Sequence, residues 1–274
     1  MMLSKIHYRS FLFCFIFYFI SIAAGAQAIK LDEETPLRQF PYISMVYDRI
    51  FNSSGLDTFF HKLELLKRSG KGSVSIVHIG DSHVKAPYYP GKVKKCLQDF
   101  FGAGGKDSSG VIYNSIGING ARFTTFNRSA AFWQKLPSYH ADLYIISLGT
   151  NDAQGTQFNE KDFLVQVQRM IDSIRMMSPG SALLFTTAAD SFRNRYPNRL
   201  MWSMNISLYT FCAKNNIPVW DLYRTTNGYG SAYNWIKQRM MSADGVHYSA
   251  KAYELQGQLL FNAIGRGYNN FLNY

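Results

Sequence analysis

Short apolar runs alternate along this chain with longer amphipathic stretches. Val74, Ile76, Val77 and Ile79 form one run, which stops at Gly80-Asp81-Ser82. A second, over 111–116, stops at Gly117-Ile118-Asn119-Gly120. The clearest, ADLYIISL over 141–148, stops at Gly149-Thr150-Asn151-Asp152. Two more follow, SALLFTT over 181–187 and IPVWDL over 217–222. Apolar runs of this length bounded by turn residues predict buried strands. Between them, apolar residues recur at helical spacing. Phe59, Phe60, Leu63, Leu65 and Leu66 predict a helix over 57–68, and Phe163, Leu164, Val167, Met170, Ile171 and Ile174 one over 161–177. Further helices are expected over 90–101, 198–216, 231–241 and 249–264, the last capped by Ser249. The glycine-rich stretch 101–110 lacks the spacing of a phosphate loop and reads as a connection. Strands alternating with helices predict a parallel sheet of about five strands, covered on both faces. Motifs that follow strands or precede helices then converge on one sheet edge, although they are far apart in sequence.

The first residues depart from this pattern. Lys5 and Arg9 precede an almost wholly apolar run over 11–23, and Ala24-Gly25-Ala26 resembles a small-residue cleavage site. This is the pattern of a secretory signal peptide over 1–26, the alternative being an uncleaved anchor. The apolar run is shorter than the roughly 20 residues that span a bilayer. Export to a periplasmic or extracellular location is expected, with no stable membrane insertion once the leader is removed. A polar amino-terminal arm over 27–55 would precede one catalytic domain over 56–274, a division that a chain of 274 residues, 47% of them hydrophobic, can support.

The formal charge of +11 becomes +9 when Lys5 and Arg9 leave with the leader. Such a balance suits an anionic surrounding such as cell-wall polymer, or serves solubility. No nucleic-acid-binding signature accompanies it. Cys96 and Cys212 remain in the mature chain. Both occupy apolar-face positions of expected helices and read as two buried thiols, although export also permits a disulfide. No CxxC or HExxH pattern is present, so neither a metal nor a cofactor is expected.

The candidate chemistry lies where the strands end. A serine hydroxyl needs a base to take its proton, a group to orient that base, and donors for the oxyanion that forms. Ser82 is the candidate nucleophile, with Asp81 holding its turn. His247 is the candidate base, and Asp244, three residues earlier, can orient it across Gly245. Of the other histidines beyond the leader, none has an acid so placed. The backbone N–H groups of Ser82 and Gly120 and the amide of Asn151 are the candidate oxyanion donors.

Four blocks in this order resemble the SGNH/GDSL hydrolase superfamily: Gly-Asp-Ser at Ser82, Asn119-Gly120, Gly149-Thr150-Asn151-Asp152, and Asp244-x-x-His247. The resemblance covers about 74–264. It implies a flavodoxin-like three-layer α/β/α sandwich and metal-free ester hydrolysis. It carries the four namesake roles to Ser82, Gly120, Asn151 and His247, with Asp244 completing the triad. The usual leucine after the serine is His83 here, and Gly-Asp-Ser-His resembles a branch that includes cell-wall and polysaccharide O-acetylesterases. An exported serine esterase acting on an acylated glycan is therefore expected. An O-acyltransferase, a lipase or thioesterase, and a non-catalytic glycan-binding protein remain open alternatives. The spacing leaves no room for an inserted carbohydrate-binding module. His83, Tyr88, Tyr89, Trp133, Arg193 and Arg195 are then the candidates for gripping substrate, through stacking and charge.

Overall fold

The structure is a computed structural model that describes residues 27–105 and 107–273. The expected leader therefore lies outside the described residues. In chain order the elements begin with α1 (Glu34–Gln39), β1 (Ile50–Phe51), α2 (Asp57–Ser69), β2 (Ser73–Gly80), α3 (Ser82–Lys85), α4 (Tyr88–Phe101) and β3 (Gly110–Gly117). There follow α5 (Phe123–Asn127), α6 (Ala130–Lys135), β4 (Leu143–Ser147), α7 (Glu160–Met177) and β5 (Ala182–Thr186). The chain continues through β6 (Phe192–Arg193), β7 (Tyr196–Pro197), α8 (Arg199–Lys214), β8 (Val219–Trp220), α9 (Leu222–Thr225), α10 (Ser231–Lys237) and α11 (Ala250–Leu272).

The main sheet has six strands in the order β1-β8-β5-β4-β2-β3. The five expected strands are parallel, and among themselves they follow the 2-1-3-4-5 order of flavodoxin-like sheets. The sixth, β1, lies outside that expectation and runs antiparallel at the edge, pairing Ile50 with Trp220. Side-chain alternation splits the core between the two faces. Val74 and Ile76 of β2 pack with Leu63, Val93 and Leu260 from α2, α4 and α11. Val77 and Ile79 face Phe126, Val167 and Leu208 from α5, α7 and α8 on the other side. Each such fully buried side chain stabilises the fold by about 1.5–3 kcal/mol.

The last helix runs beyond the expected end at 264, through Leu272. Gly265 and Gly267 do not stop it, because each faces a tight contact. A Cβ would stand 2.8 Å from Leu31 Cδ2 at Gly265 and 2.9 Å from Phe60 Cζ at Gly267. This close approach lets α11 hold the amino-terminal arm. Asn269 accepts from the Ile29 N–H at 2.7 Å and donates to its carbonyl at 2.9 Å. Asn262 donates to the Asp32 carbonyl at 2.6 Å, and Arg266 to that of Asp48 at 2.9 Å. Cys212 is buried as expected, whereas Cys96 is only half-buried. Both are free thiols packed on opposite faces of the sheet, which explains why no bridge joins them.

Asp48 is fully buried beneath β8, where its carboxylate accepts from Trp220 Nε1 at 3.2 Å. Burial pushes its pKa from 3.8 up to about 7, against the opposing pull of Arg266. Between about pH 4 and 7 the native state therefore holds a proton that the unfolded chain has lost, and stability falls as pH rises through that window. Asp48→Asn keeps an acceptor for Trp220 and removes the titration. The gap between Tm at pH 5 and at pH 8 is expected to narrow by at least about 3 °C. An unchanged gap in calorimetry would assign the pH dependence elsewhere.

Candidate active site

The parallel strand order reverses between β2 and β4, and ligands in open α/β sheets bind outside the carboxyl ends of strands at such a switch point. Ser82 follows β2 there, and Gly149 to Asp152 follow β4. The chain leaves β2 through Gly80 and enters α3 directly. Asp81 caps that helix, its Oδ1 accepting from the His83 N–H at 2.9 Å. Two glycines make the turn sterically possible. A Cβ on Gly80 would lie 2.2 Å from Val84 Cγ2, and one on Gly117 would lie 2.2 Å from the Lys85 backbone nitrogen. The second contact is with backbone, so no rotamer change can relieve it. Gly117→Ala is expected to lower stability by about 1–3 kcal/mol, read as a lower urea midpoint. An unshifted midpoint would show that α3 can move away from β3 freely.

The structure brings Ser82, His247 and Asp244 together in series. Asp244 Oδ1 accepts from the N–H groups of Val246 and His247, both at 2.9 Å. Its Oδ2 accepts from His247 Nδ1 at 2.6 Å. Gly245, at φ 69°, lets the loop close this tightly. With the carboxylate as acceptor, the imidazole proton sits on Nδ1. Nε2 is left to accept from the Ser82 hydroxyl, 2.9 Å away. Burial acts to raise the Asp244 carboxyl, but the bonds from the His247 side chain and from two backbone N–H groups outweigh it and hold the pKa below the usual carboxylate value. The side chains of His247 and Asp244 are 44% and 49% exposed, so solvent reaches this pair.

Gly120 and Asn151 stand on the same groove, which has a volume of ≈ 540 Å³ and is lined by Ser82, Lys85, Asn119, Gly120, Asn151 and His247, with Ala86 and Val246 as its apolar members. Gly120 adopts φ 71° with open space around it, so its glycine identity serves the backbone conformation. Asn151 Nδ2 donates to the Ala121 carbonyl at 3.1 Å and to Asp81 Oδ2 at 3.2 Å. These two bonds tie the Asp81-Ser82 turn, the Gly120 segment and the loop after β4 to one amide. The neighbouring Asp152 carboxyl is raised to about 7 by burial, with Arg122 and the Phe123 N–H pulling the other way.

The candidates for gripping substrate are dispersed. Tyr88 is 45% exposed at the start of α4. Arg193 and Arg195 lie on the β6–β7 hairpin, which flanks the His247 loop through a bond from the Phe192 N–H to the Gly245 carbonyl. Tyr89 and Trp133 are buried, in opposite halves of the core, and are unavailable as a sugar platform. His83 packs inward, where its Nδ1 meets the Tyr253 hydroxyl at 2.9 Å. Lys85 lines the groove unanticipated, although its position three residues after Ser82 on a helix was a legible signal. Beneath the site, His78 bonds Tyr113 at Nδ1 and Ser147 at Nε2, both at 2.8 Å, and burial pushes its pKa down to about 3. Among the described residues no cluster of His, Cys, Asp and Glu side chains could hold a metal ion, and no helix is long and apolar enough to cross a membrane.

Comparison with known proteins bears on this arrangement. Residues 76–260 match the family described as GDSL-like lipase/acylhydrolase. A peptidoglycan O-acetylesterase structure superposes with a TM-score of 0.72 at 16% identity, over 78% of this chain and 96% of the other. An acetyl xylan esterase gives 0.53 at 16% identity over 70% and 100%, and a lipase/acylhydrolase from Enterococcus faecalis gives 0.51 at 21% over 70% and 96%. No curated protein matches the chain in sequence. These structural likenesses carry the fold, and the family match spans about two thirds of the sequence. The chain belongs to the GDSL-like lipase/acylhydrolase family and is a hydrolase of ester bonds.

Proposed function

We propose that this protein is an exported serine esterase that removes acetyl groups from a carbohydrate, with Ser82, His247 and Asp244 as its catalytic residues. The observation that carries this reading is the unbroken series from the Ser82 hydroxyl to His247 Nε2 and from His247 Nδ1 to Asp244, opening on a surface groove. Ser82 Oγ attacks the acyl carbonyl while His247 Nε2 takes its proton. The oxyanion is held by the N–H groups of Ser82 and Gly120 and by the Asn151 amide. His247 then protonates the leaving alcohol, and water attacks the acyl-enzyme with His247 as base, releasing the acid and restoring Ser82.

The groove supports a short acyl group. Of the residues that line it only Ala86 and Val246 carry hydrocarbon side chains, whereas a long acyl chain needs an extended apolar channel to bury each CH₂, worth about 0.8 kcal/mol apiece. The exposure of His247 and Asp244 favours water as the acceptor, since acyl transfer to an alcohol needs water kept out. The carbohydrate is supported by the likeness in fold to a peptidoglycan O-acetylesterase and an acetyl xylan esterase. Export rests on the leader pattern over 1–26. The test is acetate release from acetylated peptidoglycan, acetylated xylan and a long-chain ester, with Ser82→Ala as control. Acetate released from a glycan by the wild type alone supports the reading. Preference for the long-chain ester would overturn the substrate, and equal activity in Ser82→Ala would overturn the mechanism.

A further inference from the structure

His83 is adjacent to the candidate nucleophile in sequence yet makes its one side-chain hydrogen bond to a residue of α11. Its Nδ1 lies 2.9 Å from the Tyr253 hydroxyl. The His83 ring also lies against His247, with centroids 5.4 Å apart and planes tilted by 33°. Tyr248 and Tyr253 close around it at 6.1 and 5.8 Å. Tyr248 is itself anchored, its hydroxyl donating to the Asp190 carbonyl at 2.6 Å.

We propose that His83 and Tyr253 form a tie that positions His247. One end of the tie is the helix that starts at Ser82, and the other is the loop and helix that carry the base. The flat face of His83 backs the His247 ring and limits its rotation about the Nδ1–Asp244 bond. The groups that face His83 agree with this role. Burial holds its pKa below the ordinary histidine value, the carboxylates of Asp81 and Asp244 pull it up, and His247 pushes it down. A neutral ring in this place adds no charge beside the imidazolium that forms on His247 in the transition state. A leucine would fill the space but could not hydrogen-bond Tyr253. These are positioning residues, since neither needs to touch the ester.

The inference rests on His247 being the base of the proposed esterase, and its test has a readout that does not depend on substrate. Tyr253→Phe and His83→Phe keep the rings and remove the hydrogen bond from opposite ends. Each is expected to lower kcat by about tenfold with KM within about twofold, because small misplacements of a catalytic group cost rate rather than binding. The double variant should be no slower than the slower single. A further tenfold loss in the double variant, or unchanged kcat in both singles, would overturn the tie. In proton NMR the His247 Nδ1–H, bonded to Asp244, should give a sharp downfield signal in the wild type and an exchange-broadened one in both variants. Equally sharp signals would overturn the tie whatever the activity. A wild type in which a fluorophosphonate does not label Ser82 would instead refute the esterase reading. Calorimetry guards against misfolding, and Tyr253→Phe, the gentler change, decides where His83→Phe fails to fold.

Discussion

Replacing His247 by alanine is expected to lower kcat on an acetylated oligosaccharide by about 10⁶-fold, and adding Ser82→Ala should cost nothing more. The two side chains act as a unit. Without Nε2 at 2.9 Å, the Ser82 hydroxyl keeps its proton, and without the hydroxyl the base has no task. No nearby histidine can substitute. His83 is turned towards Tyr253, and His78 is enclosed between Tyr113 and Ser147. What remains in either variant is stabilisation from the oxyanion donors and binding, about 10³–10⁴ over water. Asp244→Asn should be milder, at about 10⁴-fold, since it leaves the base in place and disturbs its proton and orientation. Steady-state kinetics on the two singles and the double decide the matter. Losses that multiply would mean that Ser82 and His247 work independently, which is incompatible with a shared proton transfer.

The parallel sheet was legible in the sequence because each of its strands falls in an apolar run bounded by turn residues. The two-residue β1 was not, since Ile50 and Phe51 are too few to show a period, and their pairing with Val219 and Trp220 is set by tertiary contact. The same holds for the end of α11. The helix was expected to end at 264, but it continues through Gly265 and Gly267, the places where Leu31 and Phe60 press on it. Periodicity places a residue on a helix without saying which neighbour covers it. Tyr89 and Trp133 were therefore open candidates for stacking on substrate, and both are buried where α4 and α6 dock.

The candidate site was more legible than the edges of the fold, for a topological reason. A motif that ends a parallel strand must lie at the carboxyl edge, whatever its distance along the chain. Ser82, Gly120 and Asn151 satisfy that rule, and Asp244 and His247 reach the same edge just ahead of the Ser249 cap of α11. What sequence could not convey is the connectivity of the side chains around them. The bond between Tyr253 and His83 joins residues 170 positions apart, and no local pattern in the sequence points to it.

Asn151→Ala is expected to lower kcat by about 10²–10³-fold, the usual cost of losing one oxyanion donor. The resting structure makes this a demanding expectation. Both hydrogens of the Asn151 amide have acceptors already, the Ala121 carbonyl at 3.1 Å and Asp81 Oδ2 at 3.2 Å. Both bonds are long for N–H···O contacts, and one must yield or be shared when the oxyanion forms. The Asp81 carboxylate can release it at the lower cost, since its other oxygen still caps the His83 N–H. The substitution also removes the pin between the Gly120 segment and the nucleophile turn, so a stability loss of about 1–3 kcal/mol should accompany it from the acceptors left without a partner. The two effects separate experimentally. Kinetics well below the melting transition report the donor, while urea unfolding reports the pin. Asn151→Asp retains an acceptor but no donor and sets a second carboxylate beside Asp81, so it should be slower than the alanine variant. A kcat for Asn151→Ala within tenfold of wild type, alongside a lowered urea midpoint, would make the amide a structural pin and leave the oxyanion to the backbone N–H groups of Ser82 and Gly120.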